Sequence, residues 1–234
     1  LTAALTDRPL FEGRMTDILK TEERIATQSN GLPADFDFQK QGFARNPQPL
    51  DQLIFGGSEY VKDGLMPITE WLGDTLWSER MIRIVDSILA QSTFETPFGM
   101  LPSQNIEVNG EMMQVLSRLY YREGREAYLD MACRIADYYL LGDRHPTRDS
   151  TNLQLRDHNC ELISGLTEVY ATCHFARKSK ADAYRAPIHR MLDDILRVGV
   201  NEHGLMYQGV NPQTGKILRS TIHDNWGYNY NGFY

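Results

Sequence analysis

Apolar residues recur at three- and four-residue intervals through most of the second half of the chain, the mark of helices with one buried face. The spacing predicts four such helices, over about 109–122, 125–141, 158–177 and 181–198, arranged as two pairs. Gly124 parts the first pair and Ser179-Lys180 the second. Upstream, 58–74 and 78–91 read as another helical hairpin. Its second arm carries Met81, Ile84, Val85, Ile88 and Leu89 on one stripe, with Ser78 as the expected N-cap. Pro67 should kink the first arm or mark its first turn. Residues 1–56 hold no sustained period beyond a short helix over about 14–27. Late in the chain, 205–210 and 216–219 flank Asn211-Pro212-Gln213-Thr214-Gly215, which predicts a short β-hairpin inserted between helices. Asp224 onward should open a further helix.

The two helix pairs are copies of one unit. Asn109-Gly110-Glu111-Met112-Met113-Gln114-Val115-Leu116-Ser117-Arg118-Leu119-Tyr120 returns fifty positions later as Asn159-Cys160-Glu161-Leu162-Ile163-Ser164-Gly165-Leu166-Thr167-Glu168-Val169-Tyr170. Each copy is followed by a polar break and a second amphipathic segment, so the repeating unit is a helical hairpin. Hairpins of this kind bury their apolar faces by stacking, either in an open solenoid or in two concentric layers that close into a ring. The division this implies is an irregular segment over 1–56 packed on a helical domain over 57–234.

Composition narrows the functions. A hydrophobic content of 41% with 24% charged residues is that of a globular protein with a sizeable core. A net charge of −7 argues against nucleic-acid binding and against a polybasic membrane-surface role. No stretch approaches the roughly 20 apolar residues of a membrane-spanning helix, so a soluble chain is expected. Cys133, Cys160 and Cys173 fall within apolar helical patterns and read as buried thiols rather than metal ligands. The chain opens on Leu1 and stops at Tyr234 inside an aromatic-rich stretch, which reads as a fragment of a longer protein. Secretion or a periplasmic location would follow if a signal peptide preceded it.

The junction Leu119-Tyr120-Tyr121-Arg122-Glu123-Gly124-Arg125-Glu126-Ala127-Tyr128-Leu129-Asp130-Met131-Ala132 resembles the passage between inner and outer helices in the six-hairpin glycosidase superfamily. The resemblance spans about 58–234. It implies an all-α fold, an (α/α) toroid of helical hairpins, here an incomplete (α/α)6-type ring with a small β-hairpin insertion. Toroids of this kind host glycoside hydrolases, unsaturated-uronyl hydrolases and sugar epimerases, and closely similar ones serve polysaccharide lyases. The resemblance therefore speaks to architecture and leaves the reaction to the site.

In such a ring the inner helices run the same way and gather their N-termini on one rim, the positive ends of their dipoles facing whatever binds there. Three stretches mark those starts. They are Gln104-Asn105-Ile106-Glu107-Val108-Asn109-Gly110-Glu111, Arg156-Asp157-His158-Asn159-Cys160-Glu161 and His223-Asp224-Asn225-Trp226-Gly227-Tyr228-Asn229-Tyr230. Carboxylates, histidines, amides and aromatics in this mixture suit a sugar site. Local structural roles compete with that reading. Asn109, Asp157 and Asp224 are good N-caps, and Glu111 and Glu161 suit the first turn of a helix. His145, His174, His189 and His203 read as structural or surface residues.

The candidate catalytic residues are Asp157, His158, Asp224, Glu161 and Tyr228. The candidate substrate-binding residues are Asn109, Glu111, Arg156, Asn159, His223, Asn225, Trp226 and Tyr230, with Trp226 and Tyr228 stacking on sugar rings. Hydrolysis needs two carboxylates flanking the glycosidic bond, best drawn from different hairpins. β-Elimination on a uronate needs a base such as His158 or a tyrosine, with Asn159, Asn225 or Arg156 neutralising the substrate carboxylate. Hydrolysis of an oligo- or polysaccharide, with no cofactor or metal, is the expectation. A polysaccharide lyase is the alternative, and an epimerase or a non-catalytic repeat protein is a lesser one. Long irregular loops at 94–107, 142–156 and 200–223 favour a cleft over a uniform binding surface.

Overall fold

The computed structural model describes residues 6–73, 76–156, 158–222 and 226–233, the last helix by its backbone alone over 226–228. It is predominantly helical, with small antiparallel sheets. Among the described residues no helix is long and apolar enough to cross a membrane. The chain forms two compact units, one ending at Ser92 and one beginning at Thr93.

The first unit opens with α1 (Arg8–Ile25), whose start is capped by Asp7 accepting from the Leu10 N–H at 3.2 Å. A two-residue hairpin, β1 (Phe36–Asp37) with β2 (Gly42–Phe43), follows. Then come α2 (Leu50–Glu59), a π-helical stretch over Tyr60–Leu65, α3 (Met66–Leu72) and α4 (Leu76–Ala90). The sequence places this first arm at 58–74, but helix begins at Leu50, directly after Pro49. Pro67 occupies the first turn of α3. It has no N–H to return to the carbonyl four residues back, and the chain widens just before it, Met66 N–H bonding the Val61 carbonyl instead. Ser78 is not an N-cap: it lies buried inside α4, because Leu76 and Trp77 already belong to the helix. Arg80 joins α4 to α1. Its guanidinium is buried and donates to both Glu22 oxygens (2.6 and 3.0 Å), to the Gly31 carbonyl (3.0 Å) and to Thr27 Oγ1 (3.1 Å). A buried cation with that many acceptors has exchanged its water shell for protein groups.

The second unit begins with the hairpin β3 (Phe94–Thr96) and β4 (Gly99–Leu101). The repeat then appears as α5 (Ile106–Glu123) with α6 (Glu126–Leu140), and α7 (Cys160–Ala176) with α8 (Lys178–Val198). Gly124, at φ +66°, closes α5 in the left-handed conformation that a residue without Cβ adopts freely. Between α6 and α7, β5 (Leu153–Gln154) pairs with β6 (Tyr207–Val210), which pairs with β7 (Ile217–Ile222). The expected hairpin is therefore present, extended to three strands. Its turn is held by the Asn211 side chain, which accepts from the Gln213 and Thr214 N–H groups, and by Gly215 at φ +73°. The last element is α9 (Trp226–Asn231).

Contacts fix the helix directions. Along α5 and α7, Gln114 reaches the Glu161 carbonyl, Arg118 pairs with Glu168 at 2.7 Å, and the Tyr121 hydroxyl donates to the Thr172 carbonyl. Residue numbers rise together, so these first helices of each hairpin are parallel. The second helices match: Asp130 and Glu126 take Arg177 ahead of α8, while Asp137 takes Lys180 and Tyr184 within it. α9 packs on α7, and Gly232 just after it lies against Ile163 and Thr167. From Glu107 to Ser117, α5 is buried on every side.

The tightest point is a glycine crossing. A Cβ on Gly110 would fall onto the Glu161 carbonyl group and within 2.5 Å of the Leu162 nitrogen, and one on Gly165 would fall onto the Gly110 carbonyl. Helix propensity alone favours Ala over Gly by about 1 kcal/mol, but this clash is with backbone, which no rotamer change relieves. Gly110→Ala should therefore lower stability by about 2–4 kcal/mol in urea unfolding. An unchanged or raised midpoint would show that the two helices are not in contact there.

Candidate functional site

The parallel packing brings the starts of α5 and α7 side by side, and the chemistry-bearing residues of the second unit lie there. Asn105, not Asn109, caps α5: its side chain accepts from the Glu107 N–H at 2.8 Å. The helix thus starts earlier than the repeat alone predicts, and Glu107 sits in the first turn. Asn159 occupies the N-cap position of α7 without a side-chain cap bond, and Glu161 follows in the first turn. Both glutamates meet the positive end of a helix dipole.

The closest pairing is between hairpins. His158 Nδ1 lies 2.7 Å from both carboxylate oxygens of Glu107. The carboxylate side chain is 6% exposed and the imidazole 57%. An imidazole nitrogen held against a carboxylate carries its proton there, so Nδ1–H donates and Nε2 becomes the basic nitrogen of the neutral ring. His158 is at φ +69°, a left-handed conformation uncommon for a residue with a Cβ. It belongs to a turn in which the Asn159 and Cys160 N–H groups both bond the Arg156 carbonyl.

Two further buried carboxylates lie on the same pair of helices. Glu111 lies one turn beyond Glu107 on the same face of α5, and both are buried; oxygens of the two approach within 4.8 Å. Glu161 is also buried and accepts from the Cys160 thiol at 3.2 Å. Like charges as close as those of Glu107 and Glu111 in a low-dielectric site repel strongly unless a proton or a cation lies between or beside them.

The other expected residues divide. Asn109 is neither a cap nor at the surface. It is fully buried in the second turn of α5, its amide donating to the Ser103 carbonyl (3.0 Å) and the Tyr139 hydroxyl (3.1 Å). Burial pushes that Tyr139 hydroxyl up to about 12. Glu111 likewise lies deeper than the first turn, because α5 begins at Ile106. Arg156 donates to Gln154 at 3.2 Å and presents its carbonyl to the turn before α7. Tyr230 donates to the Gly204 carbonyl at 2.7 Å, tying α9 to the loop after α8. Asp157, His223, Asp224 and Asn225 lie outside the described residues, as do the side chains of Trp226 and Tyr228, whose backbone is in α9.

Glu107, absent from the candidates that motifs supply, is the residue that holds His158. The signal was in the repeat, since Glu107 stands fifty positions before Asp157 and so occupies the equivalent place in the first copy.

A cleft of about 420 Å³ opens between the first turns of α5 and α7 and the loop following α6; Ile106 and Asn159 line it, Glu107 and His158 do not. Tyr138, Tyr139, Arg144, His145, Gln154 and Asn159 contribute to its lining. Rings and polar groups in this mixture can stack on and hydrogen-bond a sugar-sized molecule. Comparison with protein-family models, with curated proteins and with solved structures finds no match to the chain.

His145 holds the wall of the cleft. Its Nδ1 accepts from the Thr147 and Arg148 N–H groups at 3.2 and 3.1 Å, and its Nε2–H donates to the Pro187 carbonyl at 2.9 Å. Burial, above all, holds the imidazole below its ordinary value. Both ring nitrogens are used by the neutral tautomer, and a proton on Nδ1 would displace two donors. The unfolded chain therefore takes up a proton near pH 6.5 while the folded one does not, and stability falls as pH drops below that value. His145→Asn should cost about 1–3 kcal/mol at pH 8. Its deficit against the native chain should shrink as the pH is lowered through 6, and a deficit constant from pH 8 to pH 5 would contradict this account.

Proposed function

We propose that the protein is a carbohydrate-active enzyme that cleaves glycosidic bonds of oligo- or polysaccharides, by hydrolysis through paired carboxylates. The observation that carries this reading is the buried pair Glu107 and Glu111 on α5, with His158 of the neighbouring hairpin on Glu107, and Glu161 in the first turn of α7. Glycoside hydrolysis asks for an acid and a base on either side of the bond, fixed by elements that do not move independently. Two parallel hairpins locked at a glycine crossing meet that demand. The adjoining cleft supplies Tyr138 and Tyr139 with several amides, the groups that recognise sugar rings and hydroxyls. Parallel first helices, antiparallel partners and a third helix opening the next copy support an (α/α) toroid as the architecture that the second unit belongs to.

A second reading rests on one specific feature. His158, oriented by Glu107 and exposed, has the arrangement of a general base, the group a lyase needs to remove the proton beside a uronate carboxylate. Arg156, two residues earlier, is the nearest cation in sequence to neutralise that carboxylate.

The test is incubation with neutral and uronic-acid polysaccharides, following new reducing ends together with the ultraviolet absorbance of unsaturated uronates. Reducing ends without absorbance establish hydrolysis, and the two rising together establish elimination. His158→Ala and Glu107→Gln should each lower the rate by roughly 100-fold or more while circular dichroism stays native. Native turnover in both variants, or no cleavage of any polymer, would overturn the assignment.

A further inference from the structure

The second unit contains a thiol pair that the proposed chemistry does not use. Cys133 lies in the middle of α6 and Cys173 in the last turn of α7, and their sulfurs are 3.5 Å apart. Both are buried, at 2% and 0% exposure. The pair bridges successive repeats at the crossing of an outer and an inner helix, 40 residues apart in sequence. Its surroundings are unusually polar for a core. Tyr184 donates to the Cys133 carbonyl and to Asp137, while Arg177 and Lys180 make ion pairs with Asp130 and Asp137 beside it.

We propose that Cys133 and Cys173 are an oxidisable pair that closes to a disulfide, stapling α6 to the end of α7. The two sulfurs are not equivalent. Cys133 is held below the ordinary thiol value, chiefly by the hydrogen bond from the Cys173 thiol, with Arg177, the Tyr184 hydroxyl and Lys180 adding to it and burial opposing. Cys173 is pushed up by that same bond and by burial. Cys133 is therefore the nucleophile and Cys173 the resolving thiol. With hydrogen peroxide, small enough to enter a packed interior, the Cys133 thiolate attacks one oxygen. The O–O bond breaks, hydroxide leaves and a sulfenic acid forms. The Cys173 sulfur then attacks the Cys133 sulfur, the S–O bond breaks, and the oxygen leaves as water after taking the Cys173 proton. Two electrons pass from the thiols to the peroxide. The sulfurs must close from 3.5 Å to about 2.05 Å, a shift of the size that side-chain rotation and a small helix adjustment supply.

The bond would close a loop holding the 141–159 stretch, and with it the cleft wall and His158. Its effect should be mainly on the unfolded chain, whose freedom it restricts.

The experiment uses the full chain treated with millimolar peroxide, denatured, alkylated and digested with trypsin. Cys133 then lies in the peptide over 126–134, and Cys173 shares the peptide over 157–177 with Cys160. The expected result is one cross-linked species, lighter by two hydrogens, that fragmentation assigns to Cys133 and Cys173 and that dithiothreitol reverses. Melting temperature should rise by roughly 5–15 °C on oxidation and return on reduction. Cys160→Ser should retain the cross-link and Cys173→Ser should lose it, the Cys160→Ser result standing even if the other variant folds poorly. Both thiols still alkylatable after peroxide, a cross-link through Cys160, or over-oxidation of Cys133 without a cross-link would each overturn the proposal.

Discussion

The second unit depends on how closely α5 and α7 approach. Gly110 and Gly165 let the two backbones touch, the carbonyl of Gly110 lying where a side chain on Gly165 would begin. At that separation the helices have one register, and every cross-helix contact inherits it. Above the crossing, Arg118 meets Glu168 and Tyr121 meets Thr172; below it, Glu107 meets His158. The pairs are separated by fifty or fifty-one residues, the length of the repeat. A structural identity between two hairpins, expressed as a close helix contact, thus sets the geometry of a site made from both. Packing and chemistry are the same constraint here, because a shift of one helix by a single turn would move Glu107 past His158 by about 5.4 Å.

The repeat is also what made the fold legible. Apolar periodicity and the fifty-residue return predict two hairpins, and α5 through α8 lie within a few residues of the expected bounds. The Pro-and-Gly turn likewise predicts the hairpin that became β6 and β7. Legibility fails where a local rule and a tertiary one compete. Asn109 has the composition of an N-cap, but Asn105 lies one turn earlier and takes that role. Asn109 is then left inside the helix, where the Ser103 carbonyl and the Tyr139 hydroxyl accept from its amide nitrogen. Sequence similarity between Asn109 and Asn159 therefore hides a difference of place. The glycines were visible as residues, but a close approach is a property of two segments together and no one-dimensional pattern displays it. The π-helical widening before Pro67 is similar: a proline announces a disturbance without saying which turn absorbs it.

The candidate site was legible in the same uneven way. His158 and Glu161 were expected beside a helix start from residue type and position and lie at the start of α7, whereas Glu111 lies deeper in α5 than expected. Glu107 was passed over because it stands outside the most similar block of the repeat, although its offset from Asp157 equals the repeat length. Pairing between copies is the missing information. A histidine beside a helix start is common, and only the 2.7 Å approach of a buried carboxylate from the neighbouring hairpin distinguishes this one.

The balance of charge then decides what such a rim can do. Glu107 and Glu111 place two acidic groups together where little water screens them, and the α5 N-terminus offsets only part of that charge. His158 is the residue placed to change the balance, since a proton on its ring turns a repulsive cluster into one with an ion pair at its edge. His158 keeps one ring nitrogen on the Glu107 carboxylate while much of its imidazole stays exposed. The two reactions proposed for such a rim differ in the proton transfer each requires: to a leaving oxygen in hydrolysis, and first from a ring carbon in elimination. The left-handed backbone at His158 goes with an imidazole held in one orientation by Glu107, a local strain that the contact between the two hairpins offsets.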